Sequence, residues 1–586
     1  MRILHVLLPI YIGLGLVIGL LLATSWQSSL ADDGRLLPGE SQATIRYVAS
    51  TGVDQGDCLE SAIPCRTPQY AVDQAETSDE IRLSQGTYSD LEERNGFAQI
   101  VYISKTITLR GGYTLTNWTT PDFINHPAIF DAHHQGRALF ITGPITTTLE
   151  GLRIIHGNAS GAPANTDGGG ISILEASAII SACQIISNTA QYNGGGIFQN
   201  GGDFHLINSQ IISNTSGDSG GGVFNGPPYG HYYQDISNIT APGTSQIDSN
   251  GNTSLILNNF FISNLAVFRG GGMFLRQGNA LFINNNFAEN TGSVGGGLFI
   301  DASNALVRSN IFNNNADGGG IFSNYSTIVL EYNTIHGNTA GQGGGLYLFY
   351  SVANLLRNEF TANTASSMGG GIYSLETPTT LDRNLISGNS TTRLWGGGMV
   401  MDGGNFTMTN NLIVENYSAD YGSGLLIDRV RAGRMLHNTI ARNKGALGDG
   451  LMIASNSHIV MTNTILVSQT NGILLLGRES SARLEATLWG SGVWANDRDW
   501  YSDGTLITGT VNIWGDPRFV NPNSGDYHLG YASVAIDSGV ASGILTDLDG
   551  DQRPSLLAYD IGADEFTTGY LIYFPLIRRE TSVLSR

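Results

Sequence analysis

The chain has 586 residues, of which 77 are glycine and only 13% are charged. Its formal net charge of −20, from 29 basic and 49 acidic residues, argues against nucleic acid and anionic membrane surfaces as partners, and it allows cation binding. By length alone the chain would fit several globular domains or one long repeat structure, and the internal repeat described below favours the second.

Residues 1–31 are predicted to direct export and to lie outside the fold. The apolar stretch Val6–Ala23 follows Arg2 and His5, and Ser29–Ala31 has the small-residue pattern of a cleavage site. Because this stretch is long for a signal peptide, an uncleaved N-terminal membrane anchor is the alternative. Both interpretations place the remaining chain outside the cytoplasm, secreted or at the cell surface.

A short helix is predicted to begin after Thr67, with Thr67 as its N-cap and Pro68 at the first helical position. Its apolar residues would cover the open end of the repeat structure that follows, where strand edges would otherwise be unpaired. These residues are Tyr70, Ala71 and Ala75.

The cysteines agree with an exported protein. Cys58 and Cys65 lie close together in a polar stretch and could close a disulfide bond in an oxidising compartment. Cys183 lies inside the repeat and is interpreted as a buried packing residue.

Glycine triads recur through the middle of the chain at intervals of 23 to 27 residues. They begin at Gly168, Gly194, Gly220, Gly270, Gly295, Gly318, Gly343, Gly369 and Gly396, and degenerate copies begin at Gly422 and Gly448. One interval of 50 residues fits a coil that carries an inserted loop at residues 225–251. A fixed period of this kind indicates stacked units that cannot bury their apolar faces alone.

Each period contains three short apolar runs, rich in β-branched and aromatic residues, and no helical periodicity. About 25 residues with three strands is the size of one coil of a parallel β-helix. The sequence therefore predicts an all-β fold, a parallel β-helix with three short strands per coil.

Two columns of asparagine support this fold. One contains Asn188, Asn214, Asn264, Asn290, Asn315, Asn338, Asn363, Asn389, Asn416 and Asn443, and the other lies five residues earlier, from Asn259 to Asn438. Asparagine tolerates the left-handed conformation of a sharp corner, and stacked amides can hydrogen-bond to their copies in adjacent coils. Both columns are interpreted as scaffold.

The repeat Gly-Gly-Gly-Ile/Leu-Phe/Tyr, with an asparagine five or six residues upstream, resembles the right-handed parallel β-helix repeats of the pectate-lyase-like superfamily. It resembles especially the repeats of bacterial polymorphic outer-membrane proteins. The resemblance implies a right-handed β-helix over residues 101–515 and an N-terminal β-helix cap over residues 44–100. It leaves function open, because that superfamily includes lyases, hydrolases, esterases and adhesins.

Residues 516–566 carry a different pattern, in which Asp516-Pro-Arg-Phe, Gly525-Asp-Tyr-His-Leu, Asp547-Leu-Asp-Gly-Asp and Asp560-Ile-Gly-Ala-Asp-Glu follow one another. This ordered set is similar to the choice-of-anchor Q module of secreted bacterial β-helix proteins, which implies a C-terminal cap. Residues 567–586 are interpreted as a tail.

The strand after each triad is predicted to point its first residue inward and its second and fourth outward. The second positions form an aromatic row, and the fourth positions are largely polar. A row of aromatic faces beside polar groups suits sugar rings. The candidate binding residues are Phe274, Phe299, Phe322, Tyr347, Tyr373, Arg276 and Asp301. The alternative is an aromatic ladder that stiffens the sheet or packs beneath a loop.

Asp402 and Asp428 occupy the same column in neighbouring coils, so their carboxylates are expected about 4.8 Å apart. Such a pair suits acid/base catalysis or cation binding, since each charge disfavours the other. Arg429 is adjacent, and some β-helix lyases use calcium-bound carboxylates with an arginine base. These three residues are the candidate catalytic group, and a solvated surface cluster is the alternative.

Asp547, Asp549 and Asp551 alternate as calcium-loop ligands do. Gly550 and Ala558 do not fit an EF-hand loop, and a tight polar turn is the alternative interpretation. Calcium is therefore the one cofactor that the sequence suggests.

The sequence as a whole predicts an exported, monomeric β-helix protein at the cell surface or secreted, with a structural or adhesive role and polysaccharide as partner. Membrane contact is expected only through the N-terminal segment, if it remains uncleaved. The alternative function is a polysaccharide lyase or glycoside hydrolase that acts on polyuronate.

Overall fold

The computed structural model describes residues 43–160, 166–227 and 253–567, and these form a parallel β-helix. The predictions for residues 1–31, for most of the inserted loop at 225–251 and for most of the tail at 567–586 lie outside the described residues. Among the residues described, no helix is both long enough and apolar enough to cross a membrane.

The helix predicted at the N-terminal end spans Pro68–Gln74, and the hydroxyl of its N-cap Thr67 accepts a hydrogen bond from the backbone N–H of Tyr70. Ala71 and Val72 are buried and belong to the same core cluster as the first coils. The prediction of this short helix is confirmed.

One sheet contains the strands that follow the glycine triads and will be called the triad sheet. It has 16 strands, and all its pairings are parallel except the first. In chain order they are Glu92–Arg94, Phe97–Ile103, Arg137–Thr142, Ile171–Leu174, Ile197–Asn200, Val223–Asn225, Met273–Arg276, Leu298–Asp301, Ile321–Asn324, Leu346–Phe349, Ile372–Leu375, Met399–Asp402, Leu425–Asp428, Asp449–Ala454, Asn471–Leu475 and Arg498–Ser502.

The second and third strands of the coils form a 31-stranded sheet. The second strands are Ile45–Val48, Glu80–Ser84, Thr108–Tyr113, Thr146–Glu150, Ser177–Ser181, Phe204–Ile207, Thr253–Leu257, Asn279–Ile283, Asn304–Arg308, Thr327–Glu331, Val352–Leu356, Thr379–Asp382, Phe406–Thr409, Gly433–Leu436 and Thr505–Thr508. The third strands are Gly86–Tyr88, Ala128–Asp131, Leu152–Ile155, Gln184–Ile186, Gln210–Ile212, Phe260–Ile262, Asn286–Ala288, Ile311–Asn313, Thr334–His336, Glu359–Thr361, Leu385–Ser387, Leu412–Val414, Thr439–Ala441 and Asn512–Gly515. His458–Val467 and Ser481–Gly490 extend across both positions.

Ten coils also contain a fourth, very short strand just before the triad, which the sequence did not predict. These strands form two sheets of five. They are Thr189–Ala190, Thr215–Ser216, Leu265–Ala266, Thr291–Gly292, Ala316–Asp317, Thr339–Gln342, Thr364–Met368, Ser390–Thr391, Tyr417–Ser418 and Lys444–Gly445. Their length of two to five residues explains why no apolar run marks them.

Equivalent residues of successive coils pair directly, as Ile197 does with Val223 and Phe198 with Phe224. The first residue of each strand that directly follows a glycine triad points inward as predicted, and Ile197, Leu298 and Leu346 have no exposed surface. These side chains form one continuous core cluster that runs from Val48 to Trp489.

The glycine triads leave no room for side chains. Gly343 adopts the left-handed conformation, with φ of 61°. A Cβ on Gly344 would lie 2.5 Å from the carbonyl oxygen of Gly370, and one on Gly345 would lie 2.7 Å from that of Gly371. Because the neighbouring coil's backbone fills this space, only glycine fits.

The asparagines of the two columns bond from coil to coil, as predicted, but they do not take the left-handed position. That conformation belongs to the preceding residue, as at Ser187 (φ of 55°) before Asn188 and Ala362 (φ of 54°) before Asn363. The asparagine side chain is turned into the coil interior, where its amide bonds to backbone and side-chain groups of adjacent coils.

The C-terminal residues 516–566 lie along the flank of the coils. Hydrogen bonds join this segment to successive corners of the coils, at Arg357, Arg383, Asn410, His437 and Asn463. The strands Phe519–Asn521 and Asp526–Leu529 pair antiparallel, and the 3₁₀ helices Gly492–Trp494 and Pro522–Ser524 precede and connect them. An apolar cluster joins Phe519 and Tyr527 to Val414, Ala441 and Val467 of the coils.

We expect Asn363→Ala to lower the free energy of unfolding by about 3 kcal/mol, because it leaves several buried polar groups unpaired. The Asn363 amide donates to Asn389 Oδ1 and to the carbonyl oxygen of Ile335, and its oxygen accepts two hydrogen bonds from Asn338. Asn354→Ala, at an exposed strand position, is the matched control and should change the urea midpoint little. Equal midpoints for the two variants would contradict a structural role of the column.

Candidate functional site

The aromatic row of the triad sheet lies outside the main core, as the alternation predicted, but its first half is not exposed. Phe198, Phe224, Phe274 and Phe299 form a separate buried cluster, and the ring centroids of Phe274 and Phe299 are 4.9 Å apart. Phe274 has no exposed surface. The prediction that Phe274 and Phe299 face water is therefore wrong, and the alternative of an aromatic ladder describes this half. The same prediction is wrong for Tyr373 in the second half, which is only 4% exposed.

Arg276 and Asp301 are also occupied by contacts within the protein. The Arg276 guanidinium lies 3.4 Å from the Asp301 carboxylate and donates to the carbonyl oxygen of Pro227. The other oxygen of Asp301, a buried residue, accepts a hydrogen bond from the Asn324 amide at 2.6 Å. These two residues contact each other at the ends of adjacent strands and do not form an open polar surface.

The second half of the row opens into a surface that we call the aromatic patch, made of Phe322, Tyr325, Tyr347, Phe349 and Tyr350. Tyr350 is 37% exposed, and the other four residues are partly exposed. The ring centroids of Phe322 and Tyr347 are 4.6 Å apart, those of Phe349 and Tyr350 are 4.7 Å apart, and Tyr325 stacks on Tyr350 at 5.5 Å. The patch is thus contiguous.

Val294 and Met368 occupy the position just before the triad in two coils, and each packs against one of the apolar clusters outside the main core. In the coils between them the same position holds Asp317 and Gln342, beside the partly exposed rings. It also holds the polar residues Asn193, Ser219 and Arg269 beside buried phenylalanines, so this position does not by itself determine exposure.

Tyr325 and Tyr350 were missed by the sequence analysis, as was Phe349. The two tyrosines occupy the left-handed corner that follows the triad-sheet strand, with φ of 44° and 43°. The same corner holds Glu376 and Arg429 in later coils. Reading this fifth position as a further column would have found all four.

A carboxylate cluster borders the patch, formed by Glu376, Asp402 and Asp428 around Arg429. Arg429 Nε lies 2.8 Å from Asp402 Oδ1 and 3.4 Å from Asp428 Oδ2, and its guanidinium lies 3.9 Å from Glu376. The cluster thus unites the three predicted catalytic residues with Glu376, which the sequence analysis did not include.

Tyr373 links the cluster to the patch. Its hydroxyl donates to Asp402 Oδ2 at 3.2 Å, and its ring centroid is 4.8 Å from that of Tyr347. Burial raises the pKa of Tyr347 to about 12, and the charge of Asp402 is the second cause. The same two causes raise the pKa of Tyr373. Both hydroxyls therefore remain protonated near neutral pH and can donate hydrogen bonds.

The electrostatics of the cluster differ from those expected of a catalytic pair. The guanidinium lies against both carboxylates and offsets the like-charge repulsion on which the acid/base prediction relied. The hydrogen bond with Asp402, together with the nearby carboxylate charges, raises the pKa of Arg429. An arginine base must be deprotonated, so this environment disfavours the lyase chemistry that the sequence suggested.

The aspartates of the predicted calcium loop are not arranged as one ligand set. Asp547 Oδ1 accepts the backbone N–H groups of Asp549, Gly550 and Asp551, and its Oδ2 accepts that of Glu565. Asp547 therefore closes a tight polar turn, which was the alternative interpretation. Asp549 instead contacts His528.

The cysteines lie where the sequence placed them. Cys58 and Cys65 are joined by a disulfide bond, and Cys183 is buried and free. Burial raises the pKa of the Cys183 thiol to about 12, as expected of a packing residue without reactivity.

Substitution in the two halves of the row should have opposite consequences. Phe274→Ala is expected to lower the free energy of unfolding by about 3–5 kcal/mol, because it empties a buried site. Tyr350→Ala, at the partly exposed end, should cost less than about 1.5 kcal/mol, since it removes surface ring contacts only. Urea unfolding followed by circular dichroism measures both, and similar losses in the two variants would show that the patch is core.

Comparison with known proteins supports the fold. The family model described as right handed beta helix region matches residues 217–364 and 330–487. The crystal structure of pectate lyase Pel9A matches over 90% of this chain and 97% of that chain. The sequence identity is 12% and the TM-score is 0.21, which is too low to indicate a shared structure in detail. No curated protein sequence matches. The resemblances to polymorphic outer-membrane protein repeats and to the choice-of-anchor Q module stay predictions. The described chain is a right-handed parallel β-helix.

Proposed function

We propose that this β-helix binds polysaccharide on the aromatic patch. One observation carries the proposal: five partly exposed aromatic rings lie in contact on one face, directly beside carboxylates and tyrosine hydroxyls. Sugar rings stack on flat apolar faces, and their hydroxyl groups need hydrogen-bonding partners at the edge of such a platform.

The patch has the extent that a polymer requires. Its rings come from two successive coils, and Tyr373 and the carboxylate cluster continue the same face over three more. Coils follow one another at about 4.8 Å, so several stacking and hydrogen-bonding positions lie in line. A chain molecule laid along the helix axis would contact them together.

The charge of this face indicates which glycans fit. The cluster brings three carboxylates around one guanidinium, and the whole chain has a formal net charge of −20. Because like charges repel, polyuronates should bind less well than neutral polysaccharides. This expectation separates the proposal from the polyuronate enzyme that the sequence left as its alternative.

We further propose that the protein is exported and acts as a monomer at the cell surface or in the medium, in a structural or adhesive role. The disulfide bond between Cys58 and Cys65 supports an oxidising compartment. The chemistry of the carboxylate cluster supports binding better than turnover, for the reasons given above.

The test is retention of the full chain by neutral glycans (β-glucan, xylan, mannan) and by polyuronates (polygalacturonate, alginate), with and without calcium. Tyr325→Ala combined with Tyr350→Ala should weaken binding of the best neutral glycan about 25-fold, at roughly 1 kcal/mol for each ring. Tyr417→Ala is the matched control, since Tyr417 is an exposed tyrosine on a different sheet.

Three outcomes would contradict the proposal. The wild-type chain could retain none of these glycans, or the double variant could bind as the parent does while Tyr417→Ala weakens binding. Release of reducing ends or unsaturated products, abolished by Asp402→Asn or Asp428→Asn, would establish the enzyme alternative instead.

A further inference from the structure

A second group of polar side chains converges within the C-terminal segment, away from the aromatic patch. A nitrogen of His528 and carboxylate oxygens of Asp549 and Asp564 all lie within 4.8 Å of one another. His528 Nε2 is 2.6 Å from Asp549 Oδ2. The three residues come from three separate stretches of sequence, so only the fold assembles the group.

A contact with Asp526 sets the orientation of the His528 ring. Its Nδ1 lies 2.6 Å from Asp526 Oδ1, which directs Nε2 toward Asp549. A carboxylate that holds one ring nitrogen while the other faces a set of ligand atoms is the usual second shell of a metal-binding histidine. This contact is independent of the convergence of the three ligand atoms.

Within the described part of the chain, no arginine forms an ion pair with Asp549 or Asp564. Arg383 and Arg357 donate to the backbone carbonyl oxygens of Asp547 and Asp549, and Arg553 forms a buried ion pair with Glu565. Asp564 is nearly buried, whereas His528 and Asp549 are each about one third exposed. The group therefore combines a negative charge excess with a path from solvent.

We propose that His528, Asp549 and Asp564 bind a divalent transition-metal ion, for which Zn²⁺ is the probe. One imidazole nitrogen with two carboxylates is a mixed nitrogen and oxygen donor set, which suits Zn²⁺ and its neighbours. Calcium prefers oxygen ligands alone and more of them. The site thus differs in both residues and metal from the calcium loop that the sequence suggested.

Such an ion would fasten the C-terminal segment to itself and to the coils. It would join the hairpin strand Asp526–Leu529 to the turn at 547–551 and to the residues around Asp564. Arg357 and Arg383, at two successive corners of the β-helix, hydrogen-bond to that turn. Metal binding should therefore protect residues 526–566 more than it protects the coils.

The experiment is titration of the metal-free full chain with Zn²⁺, Mn²⁺ and Ca²⁺, followed by calorimetry and by metal analysis after gel filtration. We expect one Zn²⁺ per chain, bound at least tenfold more tightly than Ca²⁺. Asp549→Asn and His528→Gln should each weaken Zn²⁺ binding more than tenfold, and Asp526→Asn should weaken it about tenfold through loss of orientation.

Two control variants match these changes. Asp551→Asn alters the same charge in the same turn, and His156→Gln removes a histidine from a distant group around Asp131; both should bind as the parent does. Hydrogen exchange of the wild-type chain with and without Zn²⁺ gives a readout that needs no variant. No stoichiometric Zn²⁺ binding, binding unaffected by Asp549→Asn and His528→Gln, or tighter binding of Ca²⁺ would each overturn the proposal.

Discussion

Buried asparagine amides join each coil to the next, and the rest of the structure depends on this register. In each column the side-chain oxygen accepts hydrogen bonds from the backbone and side chain of the asparagine one coil earlier, as Asn363 does from Asn338. A slip of one residue would leave these groups unpaired without access to water, at a cost of about 1–3 kcal/mol for each. Register is therefore the same over the whole run of repeats.

A constant register converts positions in the repeat into rows on the surface. It packs Phe274 edge-to-face against Phe299 and places Asp402 beside Asp428 in adjacent strands. A row does not by itself determine exposure, however. The buried phenylalanines belong to the same row as Phe322 and Tyr347, which are partly exposed.

The surface chemistry follows from how neighbouring rows meet. Arg429 stands at the corner after Asp428 and reaches back to Asp402 in the preceding coil, so two carboxylates of like charge share one cation. Tyr373 then bonds to Asp402 and contacts Tyr347, which connects charge to aromatic surface. The resulting face has protonated hydroxyl donors, carboxylate acceptors and flat rings within one area, which is a binding chemistry more than a proton-transfer chemistry.

The sequence by itself determined the parallel β-helix, the length of its coils, the inward side of each strand and the short N-terminal helix, because these depend on periodicity and local conformation. The sequence also located the glycine triads. The backbone of the neighbouring coil occupies the space that a side chain on these glycines would need. Only the tertiary structure decided that Phe274 is buried and Tyr350 is open, that Arg429 offsets the Asp402 and Asp428 pair, and that Asp549 meets His528 while Asp547 closes a turn. Burial and charge pairing depend on side chains that are far apart in sequence, and the folded backbone alone brings them into contact.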